Sequence, residues 1–181
     1  MFRILAVNFK KTLALAVVLL AFTSPVRSST CAAEPLVKGI ALAFENAART
    51  RSPRAFSSAA AHYADMRSVA LFALGPYRAK LAPADEGHYV SLARGFLGRW
   101  MAENSTRISG AGLSIQTCSA QVVTGRFGNG SSVQFRLLGP RRVADISISG
   151  VSLAGILRSK FTDVIREKGG DINALLDYLE P

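Results

Sequence analysis

The side chains most able to do chemistry in this 181-residue chain are two histidines, two cysteines and one acid on an otherwise apolar strand. His62 and His88 fall in stretches of helical period, and their spacing does not pair them as metal ligands. A dyad of Cys118 with a histidine would need a base beside the thiol, and nothing in the chain places one there. Gly128–Ser132 has the glycines of a phosphate loop but lacks the Lys and the following helix. Gly128-Asn129-Gly130 reads instead as a hairpin turn, because these residues tolerate positive φ. Asp145 stands alone on its strand. The residues therefore spell no nucleophile, no acid–base pair and no metal cluster, and the expectation is a protein without catalysis, cofactor or metal.

The cysteines leave two readings open. If both remain in the finished chain, Cys31 and Cys118 can bridge in an oxidising compartment. If Cys31 is removed, Cys118 is a small strand hydrophobe. Which applies depends on the N-terminus, where Arg3, Lys10 and Lys11 precede an apolar run, Leu13–Phe22, and then small residues. That is the pattern of a secretory signal, and the run is about half the roughly 20 residues a spanning helix needs. Cleavage after Ser28 or after Ala33 fits. The chain is read as a signal peptide over residues 1–33 and one domain over 34–181, and as exported. Lipidation of Cys31 is disfavoured, since Ser28-Ser29-Thr30 lacks the Leu and the Ala or Gly of such a site.

Formal net charge is +10, and the segment to residue 33 carries four of the basic residues and no acid, leaving +6. The remainder is scattered, with no run of like charge and no basic–aromatic interleaving, which argues against nucleic acid and for an anionic membrane or acidic partner. With 49% of residues hydrophobic and only 19% charged, the chain has more apolar surface to bury than charge to display.

Four helices are expected first. Pro35 suits a first turn, Ser52-Pro53 opens a second helix, Asp65 caps a third that ends at Gly75-Pro76, and Ala82-Pro83 starts the longest. Its apolar stripe is read through Tyr89, Leu92, Phe96, Trp100 and Met101. After a loop around Gly110, Leu113–Val123 is strand-like, and Val133, Phe135 and Leu137 alternate on a returning strand. The strand Val143–Ser149 is read with Ala144, Ile146 and Ile148 on one face and Asp145 and Ser147 on the other. A helix over Ser152–Lys168 carries Leu153, Leu157, Phe161 and Ile165 on one side, stops at Gly169-Gly170, and is followed by a last helix with Leu175, Leu176 and Leu179. The fold class is α+β: a helical half packed on a small twisted antiparallel sheet of about four strands, closed by two C-terminal helices, with the apolar faces enclosing either a filled core or a pocket.

The stretch ISGVSLAGILRSKFTDVIREKGGDINALLDYL resembles the C-terminal signature of the MlaC family, exported phospholipid-binding proteins that assist a membrane ABC transporter. The matching motifs are Gly150-Val151-Ser152-Leu153, Arg158-Ser159-Lys160-Phe161, Gly169-Gly170-Asp171 and Leu175-Leu176. The segment ADMRSVALFALGPYRAKLAPADEGHYVSLARGFLGRW is similar to an earlier part of the family, at Asp65, Met66, Phe72, Leu74, Gly75, Tyr77, Phe96 and Trp100. The resemblance implies a periplasmic carrier that holds phospholipid, or another envelope lipid, in an apolar pocket. It also implies exchange with an inner-membrane ABC transporter complex and an outer-membrane complex. The chain departs from the family in a shorter sheet segment between Arg107 and Val143, and in Phe135, Ala144 and Ser149 where Trp, an aromatic and Glu are usual. A smaller pocket, for a single-chain or polycyclic lipid, is one consequence. The residues expected to line it are Phe72, Tyr77, Phe96, Trp100, Phe135, Ile146, Ile148, Val151 and Phe161. Two rival readings are an envelope interaction protein of the same fold without cargo, and a small enzyme on a cone-shaped fold using Asp145.

Overall fold

In the computed structural model of this chain, residues 31–108 and 112–180 are described. The basic and apolar parts of the expected signal peptide and the loop at Gly110 lie outside the described residues. Four helices come first: α1 (Glu34–Thr50), α2 (Pro53–Tyr63), α3 (Met66–Ala73) and, after two 3-10 turns, α4 (Glu86–Glu103). A short α5 (Ser105–Ile108) leads to strands β1 (Leu113–Cys118), β2 (Val122–Phe127), β3 (Ser132–Leu138), β4 (Arg142–Ile148) and the two-residue β5 (Val151–Ser152). Helices α6 (Leu153–Glu167) and α7 (Asn173–Leu179) close the chain.

The helix starts follow local chemistry. Ser52 Oγ accepts the Ala55 N–H at 3.1 Å with Pro53 in the first turn of α2, and Asp65 Oδ1 accepts the Ser68 N–H at 3.1 Å ahead of α3. Helix α6 stops where Gly169 and Gly170 take φ of +68° and +86°, and the Gly170 N–H returns to the Ile165 carbonyl.

The sheet is antiparallel throughout in the order β1-β2-β3-β4-β5, one strand more than expected because β5 adds a short edge. Strand β3 alternates buried Val133, Phe135 and Leu137 with exposed Gln134 and Arg136, so one face is covered and the other meets solvent. Val123, Phe135 and Ile146 stand opposite one another across three strands and form a buried row. The β4–β5 turn places Ser149 and Gly150 at φ of +50° and +82°, the two positive values a two-residue hairpin turn of this kind requires.

Two expectations about facing change. The register of β3 with β4 shifts between Arg136 and Leu137, leaving Ala144 as an extra residue. A bulge of this kind breaks the period-2 rule. Val143 and Ile146 are therefore the buried pair of β4, and Ala144 is not inward with Ile146. On α4 the period is helical, as expected, but the phase is rotated. The buried face runs through Tyr89, Ala93, Leu97, Gly98, Met101 and Ala102, while Leu92, Phe96 and Trp100 sit at its flank, half-buried. Small residues let α4 approach its neighbour closely: a Cβ on Gly98 would lie 2.4 Å from the Pro53 carbonyl oxygen of α2.

Cys31, just before α1, bridges to Cys118 at the end of β1, with Cα atoms 5.7 Å apart. The open reading of the cysteines thus resolves to the bridged one, and Cys118 lies exposed at the strand end rather than buried. The bridge ties the first helix to the edge strand. Among the described residues no helix is long and apolar enough to cross a membrane.

Candidate functional site

Between the helical layer and the β4–α6 side of the molecule runs a narrow apolar cleft of about 40 Å³. Its helical wall is built by Ile40 and Phe44 of α1, Ala59, Ala60 and Tyr63 of α2, Met66 and Val69 of α3, and Leu97 and Met101 of α4. Opposite stand Val143 and Ile146 of β4 with Leu153, Ala154 and Leu157 of α6. The deep residues are buried, whereas Tyr63, Ala64, Ala144, Asp145 and Leu153 are half-exposed and mark the mouth. No polar atom contributes to the inner surface. Larger depressions of about 400 Å³ beside the disulfide and about 550 Å³ between α6 and α7 have polar atoms in their walls and lack this character.

The size is informative. A volume of this kind admits a few water molecules at most, and wholly apolar walls offer water no partners. Ligand pockets for drug-sized molecules run to roughly 300–1,000 Å³. The cleft is a narrow seam, open at its mouth, that a long chain would have to wedge apart.

Of the chemistry-bearing residues, Asp145 lies at the mouth and the histidines sit outside the cleft. Asp145 Oδ1 accepts the Ala154 N–H at 3.0 Å, and Ser152 Oγ accepts the Gly155 N–H at 2.9 Å. These two acceptors cap the start of α6, which is the structural work of the lone acid on β4. His62 stacks edge-on against Tyr63 with ring centroids 4.5 Å apart, and His88 lies 3.6 Å from Glu180 at the surface. The histidines do not converge, and among the described residues no group of three or more metal-ligating side chains does so. At the mouth side, Arg142 donates to the Ala64 carbonyl at 3.1 Å, and the Asp65 N–H donates to Val143, which pins the α2–α3 junction to β4. Hydrogen bonds from Ser68, side chain first and then backbone, hold the Asp65 carboxyl below its ordinary value.

Of the nine residues expected at a pocket wall, Ile146 borders the cleft. Phe135 is buried directly opposite Ile146 on β3, and Phe161 is buried one turn beyond Leu157 on α6. Phe96 packs between Phe161 and Tyr178, at centroid distances of 5.4 and 5.6 Å. Trp100 and Ile148 pack half-buried at the edge of the core. Tyr77 lies beneath Lys80 on the 3-10 turn after α3. Phe72 and Val151 face solvent, 44% and 53% exposed. What the sequence reading passed over is the alanine run of α2 and the aliphatic residues of α1. Ala59 and Ala60 on one face of α2, with Ala64 just beyond its end, were the available signal, since a face without large side chains leaves space.

The comparisons with known proteins agree with this architecture. A family model described as MlaC protein matches residues 43–181. A comparison with curated proteins finds no match. Among solved structures, the phospholipid-binding protein from Ralstonia solanacearum, in complex with a phospholipid, is similar. The TM-score is 0.64, at 17% identity, over 82% of this chain and 92% of that one. At this identity the likeness establishes a common fold.

Proposed function

The chain belongs to the MlaC family, and from that premise we propose that it is a periplasmic carrier that holds lipid acyl chains in the apolar cleft and exchanges them with a membrane ABC transport system. The observation that carries this reading is the cleft's position and lining. It is a seam without polar atoms, between the two layers of a fold shared with a protein solved around a phospholipid. Burying about sixteen methylenes at roughly 0.8 kcal/mol each gains on the order of 10 kcal/mol. That gain offsets the cost of parting α2 and α4 from β4 and α6. On this reading Ile146, Leu157, Ala60 and Met101 touch the chain first, and Phe135 and Phe161 join the wall as the seam opens. The reaction is binding and release, with no bond made or broken. An inner-membrane transporter complex and an outer-membrane complex are the partners the family membership supports.

Export in this reading uses a signal peptide cleaved after Ser28, so that Cys31 remains to bridge Cys118. Cleavage after Ala33 would remove the bridge together with a buried residue that precedes α1.

The test is native mass spectrometry with lipid extraction on the protein purified from a Gram-negative periplasm. Stoichiometric phospholipid is expected, and protein recovered empty under native conditions overturns the proposal. A second reading has one observation in its favour, the small volume of the cleft: an envelope interaction protein of this fold with a filled core. The same measurement separates them, because that protein carries no cargo.

A further inference from the structure

We propose that the outward surface shared by α3, the 3-10 turn Gly75–Lys80 and α6 is a docking patch for a bilayer containing anionic phospholipid. The inference concerns where the protein lands and does not depend on what the cleft holds.

The patch joins exposed aromatic carbon to cations that have no acid partner. Phe72 stands 44% exposed on α3, and the Arg158 guanidinium lies 4.8 Å from its ring centroid. Gly75 makes this approach possible, because a Cβ there would come within 3.3 Å of Arg158 Nε and 3.1 Å of the Thr162 methyl. Beside it, Lys80 lies 5.6 Å from the Tyr77 ring centroid and donates to the Gly170 carbonyl at 2.7 Å. Arg78 is exposed on the same turn. Among the described residues, Arg78, Lys80 and Arg158 make no ion pair, whereas Arg67 is matched by Glu86 and Arg166 by Asp163. Asp171, adjacent to Gly170, accepts the Asn173 N–H and keeps its negative charge. Arg78, Lys80 and Arg158 outnumber it, which leaves positive charge in local excess around two rings.

That combination suits an interface better than it suits either water or protein alone. Amphipathic aromatic and basic side chains keep apolar carbon at headgroup depth while their charges meet lipid phosphates. An acidic protein would satisfy the cations but would leave the exposed Phe72 ring without a role. The inner faces of the same two helices carry Met66, Val69 and Leu157 to the cleft. A carrier docked by this patch therefore rests on the bilayer through one helix from each wall of its seam.

The test is flotation of the full mature protein with phosphatidylcholine vesicles, with and without phosphatidylglycerol. Binding is expected only with the anionic lipid, and it should weaken as salt is raised. Arg78→Gln, which removes no contact within the protein, and Lys80→Gln or Arg158→Gln should each weaken binding roughly fivefold. Phe72→Ser should weaken it as well, while Arg49, Arg51 and Arg54, all changed to Gln at the α1–α2 turn, should leave it unchanged. The proposal is overturned if wild type ignores phosphatidylglycerol, or if the α1–α2 variant loses as much binding as the patch variants. It is equally overturned if poly-glutamate captures the protein as well as vesicles do and Phe72→Ser has no effect, for then the patch serves an acidic protein.

Discussion

Side chains of helices α4 and α6 border two different interiors. Near Tyr89 and Phe161 they enclose a dense aromatic cluster. Tyr89 and Phe161 meet edge to face at 6.4 Å, Phe96 packs on Phe161, and Tyr178 of α7 closes the outside. Near Leu97, Met101 and Leu157, facing the alanines of α2, the same helices border the cleft. One end is filled and the other keeps a seam, although both are equally apolar. The difference is side-chain volume. Rings fill the space between helices at the α7 end, and Ala59, Ala60 and Ala154 leave it at the α2 end. Apolar character by itself does not make a pocket; small residues opposite flexible aliphatic ones do.

Four substitutions test this contrast. Phe161→Ala, at the filled end, should cost about 3–5 kcal/mol in urea unfolding, the range for truncating a buried ring. A cost below 1 kcal/mol would mean that this end is loosely packed after all. Ala60→Leu, at the seam, should cost only about 1–3 kcal/mol in stability, but it should abolish co-purifying lipid. Lipid recovered at wild-type level from that variant would remove the cleft as the binding site. Tyr89→Phe deletes the 2.7 Å bond from the phenol to the Ala70 carbonyl and should cost about 1 kcal/mol, with lipid content unchanged.

The same tyrosine carries a pH signature. Burial pushes its phenol above the ordinary value of 10.0. The folded state therefore holds this proton where the unfolded chain has lost it. The associated stability is complete below pH 10 and falls as pH rises through the folded value. Tyr89→Phe should flatten that alkaline decline in pH-dependent thermal unfolding. Smallest of all, Val151→Arg should change stability by less than about 0.5 kcal/mol and leave lipid recovery intact, because Val151 faces solvent. A large loss of lipid there would place the wall on the opposite side from the seam described above.

Much of the architecture was legible before any coordinates. Ser52-Pro53, Asp65 and Gly169-Gly170 announce helix ends through their own side chains and backbone preferences, and each does so where the structure needs it. The α+β order, the Gly128–Gly130 turn and the C-terminal helix pair were readable for the same reason. The bulge at Ala144 was not, because an extra residue is defined only against a partner strand. The phase of α4 was misread by following its largest side chains. Leu92, Phe96 and Trp100 flank the buried face, and Ala93, Gly98 and Ala102 are what the neighbouring helices touch. The aromatics expected at a pocket wall lie away from the cleft, several of them in the filled part of the core. Empty space lies between elements and belongs to no single face, so periodicity within one element cannot locate it. Asp145 was visible as a lone acid, but its partner, the Ala154 N–H, follows nine residues later and becomes available only when β5 folds back along β4.

On the proposed export route, N-terminus first across a membrane, the disulfide has a consequence for the order of events. Cys31 emerges early and must remain an unpaired thiol while the 87 residues to Cys118 follow it. During that interval α1 has no covalent hold on the sheet. Two cysteines permit a single intramolecular pairing, so shuffling is not the hazard. Timing is: oxidation that outruns translocation joins one molecule to the next, and oxidation that follows it closes the ring. The yield of monomeric protein should therefore depend on how quickly the chain is passed across relative to how quickly thiols are oxidised on arrival.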